Sequence, residues 1–154
     1  MESKSHSYLL EWAASFVKNK DVVAKKIEKI EYDKNGFDIY VKYKDKEHFF
    51  IIAPNLEDID SIIRKININL HFSIVTLNSR NNFDIFLNSW NKLVNFKLLS
   101  IIFANPFSET DRKWIIFPYT HHRICDESSL KTGLRSMFDM VEQIDEAKLL
   151  EKIG

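Results

Sequence analysis

The run Leu98–Ala104 is the segment that most constrains how this chain can fold. Only Ser100 interrupts its apolar side chains. A membrane-spanning helix needs about 20 apolar residues, so a run this short indicates instead a strand that is buried on both faces. Strands of this kind occur in parallel sheets whose two faces are covered by helices. The run therefore predicts an α/β protein.

The rest of the chain supplies further strands and helices. The turn signal Asn35-Gly36 predicts a hairpin between two strands that alternate apolar and polar residues. Asn55 and Asp126 are candidate N-caps of the second and fourth helices. Apolar residues at helical spacing predict helices over 6–18, 55–66, 82–95 and 127–144, and residues 145–154 could extend the last one. We predict strands over 26–32, 37–43, 48–53, 71–77, 98–104 and 114–119.

The order of these elements predicts the topology of the sheet. Short turns join the first three strands, so these strands should form an antiparallel meander. The later β-α-β passages imply parallel pairing, because a crossover helix returns the chain in the same direction. We therefore predict a three-layer α/β fold in which a mixed β-sheet, with an N-terminal antiparallel meander, has helices on both faces. A length of 154 residues suits a single globular domain over 1–154.

The charge balance narrows the classes of partner. Lys and Arg together number 22, as do Asp and Glu, and both signs are spread evenly along the chain. Nucleic-acid binding usually requires a basic excess, so a nucleic-acid partner is possible but is not supported by the net charge. The N-terminus lacks the apolar stretch of a signal peptide, and Cys125 is the single cysteine. We expect a cytoplasmic protein that does not contact the membrane.

The order helix, three-stranded meander, helix, strand over residues 5–77 resembles the restriction-endonuclease-like fold, including nucleases of the Holliday-junction resolvase type. The resemblance implies Mg²⁺ held by clustered carboxylates, with an Asp on the second strand and Glu-x-Lys on the third. Asp38 matches the Asp position, and Glu11 matches an acidic position on the first helix. The third strand, however, has only apolar residues from Phe49 to Ala53, so the catalytic motif is degenerate. The alternative reading of Glu11 and Asp38 is that both are solvated surface charges.

A second candidate site is the polar cluster at residues 120–127. The cluster lies between a predicted strand end and a predicted helix start, and ligands of α/β proteins often bind there. Histidine, cysteine and aspartate can ligate metals, and a helix N-terminus next to an arginine can bind an anion. In the alternative reading, the aspartate caps the helix, the cysteine is a small buried apolar residue and the histidines lie in a loop. The candidate ligand-binding residues are His121, His122, Arg123, Cys125 and Asp126.

These observations lead to three functional hypotheses, of which the third is a structural subunit of a larger assembly. The first is a noncatalytic binding or interaction module on a nuclease-like α/β scaffold, whose partner is another protein or a second copy of the chain in a dimer. The second is a metal-dependent nuclease, or another enzyme that uses the 120–127 cluster. The first hypothesis expects no cofactor, whereas the second expects Mg²⁺.

Overall fold

A computed structural model describes residues 3–154 and shows one six-stranded mixed sheet with the strands in sequence order. The strands are β1 (Ile27–Lys34), β2 (Phe37–Tyr43), β3 (Glu47–Ile52), β4 (His71–Leu77), β5 (Leu99–Ala104) and β6 (Lys113–Ile116). The helices are α1 (Lys4–Lys20), α2 (Ile59–Lys65), α3 (Arg80–Asn88), α4 (Trp90–Leu93), α5 (Pro118–Ile124), α6 (Glu127–Met140) and α7 (Glu146–Ile153).

The pairing of the strands confirms the predicted mixed α/β class. β1, β2 and β3 form an antiparallel meander, β3, β4 and β5 are parallel, and β6 is antiparallel to β5. Asn35 and Gly36 join β1 to β2 with φ values of 55° and 83°. Two consecutive left-handed residues are what a tight hairpin turn requires, so the Asn-Gly pair fixes this connection.

Helices cover both faces of the sheet, as predicted. The crossovers from β3 to β4 and from β4 to β5 advance in the same direction across the sheet. Right-handed crossovers of this kind place their helices on one face, and α2 and α3 do share one core, which α6 completes. On the other face, α1 and α7 pack on the strands in a second core. The largest buried side chains of the first core include Phe72, Phe83, Phe86, Phe103 and Phe138.

The second and third predicted helices differ from those observed. The helix predicted over 55–66 begins only at Ile59, and Asn55 lies outside it. The helix predicted over 82–95 is interrupted at Ser89, which separates α3 from α4. The backbone of Ser89 has ψ near 0°, outside the helical range, so the chain changes direction there.

Two further predicted boundaries were wrong towards the C-terminus. The strand predicted over 114–119 ends at Ile116, and Pro118 opens α5. Proline has no N–H to donate to a strand ladder, and its fixed φ suits the first turn of a helix. The helix predicted over 127–144 ends at Met140, because the chain becomes extended there and bridges to the segment between β5 and β6.

The side chain of Asn78, at the end of β4, forms hydrogen bonds to β6 and to the end of α6. Its Nδ2 donates to the carbonyl oxygens of Phe138 at 3.1 Å and Val141 at 2.9 Å. Its Oδ1 accepts a hydrogen bond of 2.8 Å from Nε1 of Trp114. Asn78 is fully buried. These bonds therefore satisfy polar groups of β6 and of the end of α6 that water cannot reach.

We expect Asn78→Ala to lower the free energy of unfolding by about 2 to 4 kcal/mol, because it leaves a buried indole N–H and two carbonyls without this partner. Urea denaturation measures the loss. The matched control is Asn88→Ala, which removes an exposed amide on α3 and should change stability by less than about 0.5 kcal/mol. Equal losses in the two variants would contradict the assigned role of Asn78.

Candidate functional site

Asp38, the candidate metal ligand on β2, has both carboxylate oxygens in contact with other parts of the protein. Oδ2 accepts a hydrogen bond of 2.7 Å from the backbone N–H of Ile52 at the end of β3. Oδ1 lies 3.0 Å from Nε2 of His6 on α1. The carboxylate therefore links β2 to β3 and to α1. Glu11 lies on the same helix as His6, and its side chain is exposed.

The residues around Asp38 do not fit the magnesium site that the resemblance implies. Where that resemblance expects Glu-x-Lys, β3 carries Phe49, Phe50, Ile51 and Ile52, and all four are buried in the two cores. Among residues 3–154, no group of three or more His, Cys, Asp or Glu side chains is placed to hold a metal ion. Asp38 alone therefore does not reproduce a cluster of oxygen ligands for a hard cation.

Amide side chains fill the edge of the sheet at the carboxyl ends of the parallel strands. Besides Asn78, Asn82 accepts from the N–H of Leu56 and donates to the carbonyls of Pro54 and Leu77. Asn105, after β5, donates to the carbonyl of Glu142 and accepts from the N–H of Phe107. Ligands often bind at this edge in α/β proteins, but here the chain's own backbone groups use the polar atoms of these amides.

The cluster at residues 120–127 lies largely on a helix, which corrects the expectation that its histidines lie in a loop. Pro118 opens α5, so His121, His122 and Arg123 occupy the last turns of that helix. Nδ1 of His121 lies 2.9 Å from the carbonyl oxygen of Phe117. The guanidinium carbon of Arg123 lies 4.0 Å from the ring centre of Tyr119, in a cation–π contact. These two side chains therefore contact their own helix and its first residues.

Asp126 caps α6, as predicted. Its Oδ1 accepts from the backbone N–H of Ser129 at 2.8 Å and from Oγ of Ser128 at 3.1 Å. These bonds to Ser129 and Ser128 stabilise the ionised carboxylate and hold the pKa of Asp126 below its ordinary value. The capping role accounts for this residue without a ligand.

His122, Cys125 and Glu127 are the members of the cluster that border a large groove. The groove has a volume of about 690 Å³ and lies between α3 and α4 on one side and α6 on the other. We call it the α4–α6 groove. Nε1 of Trp90 donates to Nδ1 of His122 at 3.1 Å, which joins α4 to α5 at its margin. Its apolar lining includes Phe83, Leu87, Leu130 and Leu134, and its charged lining is Glu127, Lys131 and Arg135.

A second cavity of about 390 Å³ lies on the opposite face of the sheet, beside the end of α1, and we call it the His48 cleft. Ser73 on β4 and Ser100 on β5 are paired in register, and their Oγ atoms are 2.6 Å apart. Nε2 of His48 on β3 lies 2.8 Å from Oγ of Ser73. A continuous chain of three polar side chains therefore crosses three parallel strands. The apolar walls of the His48 cleft include Phe16, Phe50, Ile102, Ile115 and Phe117.

The surroundings of His48 keep its imidazole neutral. Burial lowers the pKa of His48 to about 3, and the positive charges of Lys46, His71 and Lys20 act in the same direction. A base with so low a pKa is too weak to take the proton of Ser73 effectively at neutral pH. The three side chains therefore form a hydrogen-bonding surface rather than an activated nucleophile.

Sequence reasoning missed the His48 cleft, although the chain carries a signal for it. Ser73 and Ser100 each place one hydroxyl inside a run of apolar residues that forms a buried strand. Such an interruption indicates a polar group that needs a partner inside the fold. The signal does not say that the two interruptions are neighbours, because this depends on the register of β4 against β5.

The low pKa of His48 predicts that the stability of the protein depends on pH. Between about pH 6.5 and pH 3 the unfolded chain holds a proton that folded His48 does not, so the free energy of unfolding should fall as pH falls, by up to about 1.4 kcal/mol per unit. Urea denaturation at about pH 7 and about pH 5 measures this change. His48→Gln should reduce it, and the matched His121→Gln should not. The same pH dependence in wild type and His48→Gln would contradict the prediction.

Comparison of the chain with protein-family models, curated proteins and solved structures finds no match. Across residues 3–154, no helix has the length and apolar character needed to cross a membrane.

Proposed function

We propose that this protein is a noncatalytic binding or interaction module on a nuclease-like α/β scaffold. The observation that carries the proposal is the state of Asp38, whose two oxygens contact the N–H of Ile52 and the ring of His6. A carboxylate that links three elements in this way has a structural role, and the buried apolar residues of β3 offer no second metal ligand beside it. The order α1, β1, β2, β3, α2, β4 supports the nuclease-like scaffold.

The α4–α6 groove is the surface that we assign to a protein partner. The α6 residues that line it run from Glu127 to Arg135, about 12 Å along the helix axis. That length matches roughly two turns of a bound helix, and amphipathic helices commonly bind in apolar grooves between helices. Leu87 and Trp90 on the facing helices remain partly exposed, so apolar surface is available for such contacts.

The charges on α6 indicate which kind of helix would bind. Lys131 and Arg135 line the groove and are exposed, whereas Glu127 is the one acidic residue of the lining. Nζ of Lys131 lies 4.0 Å from Oε1 of Glu127, and both side chains are exposed. Glu127 therefore offsets part of the charge of Lys131 but not the charge of Arg135. The preferred partner segment is therefore an amphipathic helix with acidic residues beside its apolar face.

The alternative function is a metal-dependent nuclease. The observation that favours it is the place of Asp38, on the second strand of the meander and next to the end of β3. Nucleases of the restriction-endonuclease-like fold, which this chain resembles, carry an aspartate at this position. Catalysis would require further metal ligands beside Asp38, because a single carboxylate does not hold Mg²⁺ in a site of its own.

We expect no cleavage that depends on Mg²⁺ or Mn²⁺ when the purified protein is incubated with branched and linear DNA. The reason is that β3 places no second metal ligand beside Asp38. Asp38→Asn and the matched surface variant Asp84→Asn are assayed in parallel by gel electrophoresis. Cleavage that requires the metal ion, survives Asp84→Asn and disappears in Asp38→Asn would refute the noncatalytic function.

Selection of helix-forming peptides from a displayed random library provides a test of the groove. We expect the enriched peptides to combine an apolar stripe with acidic residues, and Lys131→Glu/Arg135→Glu to weaken their binding at least about tenfold. The matched control is Arg64→Glu/Lys65→Glu, an exposed basic pair on α2 outside the groove. Peptides that bind both double variants equally well, or binding that needs a second copy of the chain at the groove, would count against this assignment.

A further inference from the structure

We propose that the His48 cleft binds a small carboxylic acid with an apolar body. The cleft and the α4–α6 groove lie on opposite faces of the sheet, lined by residues of the two different cores. This inference therefore does not depend on the function proposed above, and each can fail without the other. Its basis is a polar floor, apolar walls and basic side chains in one cavity.

The size of the cleft is suited to a small molecule. A volume of about 390 Å³ lies within the range of small-molecule pockets and could hold on the order of ten water molecules. Ile102 and Ile115 on the sheet, Phe16 on α1 and Phe117 after β6 supply apolar walls. Because Ile102 follows Ser100 two residues later on β5, these apolar walls adjoin the Ser100 end of the polar floor.

The polar floor always has one hydrogen left to donate. Neutral His48 carries one N–H, and Ser73 and Ser100 each carry one O–H, which makes three donors. The chain contains two internal hydrogen bonds, between His48 and Ser73 and between Ser73 and Ser100. Whichever way the chain is oriented, one donor remains outside it. When His48 donates through Nε2 to Ser73, the remaining donor is the hydroxyl of Ser100, which suits a ligand that accepts hydrogen bonds.

Basic side chains favour an anionic acceptor over a neutral one. Lys20, Lys26 and Lys46 line the cleft, against Asp21 and Asp45. The carboxylate of Asp21 accepts the backbone N–H groups of residues 26 and 27, so part of its charge is used within the loop. Towards β6, the ammonium groups of Lys20 and Lys113 lie 5.8 Å and 5.0 Å from the ring centre of Phe16. Lysines in the lining of the cleft therefore outnumber its aspartates, and of these lysines Lys20 lies against the apolar wall at Phe16, which favours an anionic ligand.

Exposure to water does not explain why two of these polar side chains, Ser73 and Ser100, are serines. Beneath α1 the same face of β3, β4 and β5 is apolar, as at Phe50, Val75 and Ile102. Ser73 is 2% and Ser100 is 6% exposed, so both hydroxyls are as buried as core residues. Apolar side chains at these positions would avoid the cost of burying hydroxyls. Their occurrence beneath an open cavity is consistent with hydrogen bonding to a ligand.

The experiment compares three probes that share one apolar body, namely hexanoate, hexan-1-ol and hexylamine. Isothermal titration calorimetry gives the affinity of each for the full-length protein. We expect hexanoate to bind at least about tenfold more tightly than the alcohol or the amine, because it alone is an anionic acceptor. The NMR signals of the His48 ring should shift on addition of hexanoate at fixed pH.

Variants with matched controls locate the binding. Ser100→Ala and Lys20→Gln should each weaken hexanoate at least about fivefold, through loss of the donor and of the positive charge. Ser89→Ala removes a buried serine outside the cleft, and Lys18→Gln removes a charge from the same turn of α1 outside the lining. Both controls should bind hexanoate within about twofold of wild type. Lys20 is exposed, so Lys20→Gln remains informative even if Ser100→Ala fails to fold.

Three results would overturn the proposal. The first is the absence of saturable hexanoate binding at roughly millimolar concentrations. The second is equal affinity for hexanoate and hexan-1-ol, which would indicate a neutral apolar ligand instead. The third is hexanoate binding that Ser100→Ala and Lys20→Gln leave unchanged, since the acid would then bind elsewhere on the protein.

Discussion

The parallel pairing of β4 with β5 is the constraint on which the rest of the structure depends. The ladder runs without a register shift from Phe72 opposite Leu99 to Leu77 opposite Ala104. Both strands are buried along almost their whole length, so each face of the sheet needs a layer of helices. The crossover helices cover one face, and the terminal helices α1 and α7 cover the other. The same register also places Ser73 beside Ser100.

The two ends of these parallel strands have different chemistry, and the strand order explains why. In many α/β proteins a crevice opens at the carboxyl edge, where neighbouring crossovers leave in opposite directions. Here the strand order follows the sequence and both crossovers advance in one direction, so no such crevice arises between β3, β4 and β5. Asn78 and Asn105 close that edge with bonds to the segment after α6. The open cavity lies instead at the amino ends, where α1 stops.

Local patterns were predictable from the sequence, whereas contacts that depend on register were not. The strands at 71–77 and 98–104 followed from their apolar runs, and the cap at Asp126 followed from its place before a helical pattern. The strand predicted over 114–119 included Pro118, which instead opens α5, because proline lacks the N–H that a strand ladder uses and its fixed φ suits the first turn of a helix. The contact between Trp90 and His122, and the pair Ser73 and Ser100, join residues far apart in the chain, so neither has a local signature.

Asp38 and His48 are the two side chains with the strongest capacity for catalysis, and their surroundings restrain each of them in a different way. The two carboxylate oxygens of Asp38 contact a backbone N–H and the ring of His6. The ring nitrogens of His48 can form hydrogen bonds, but burial and nearby lysines lower its pKa to about 3 and make it a poor base at neutral pH. Asp38 has only buried apolar residues beside it on β3 and therefore no second ligand there for a metal ion, whereas a neutral imidazole can still donate or accept a hydrogen bond. This difference supports the proposed binding function over catalysis, and it supports the amino ends of the parallel strands as the proposed site of a small ligand.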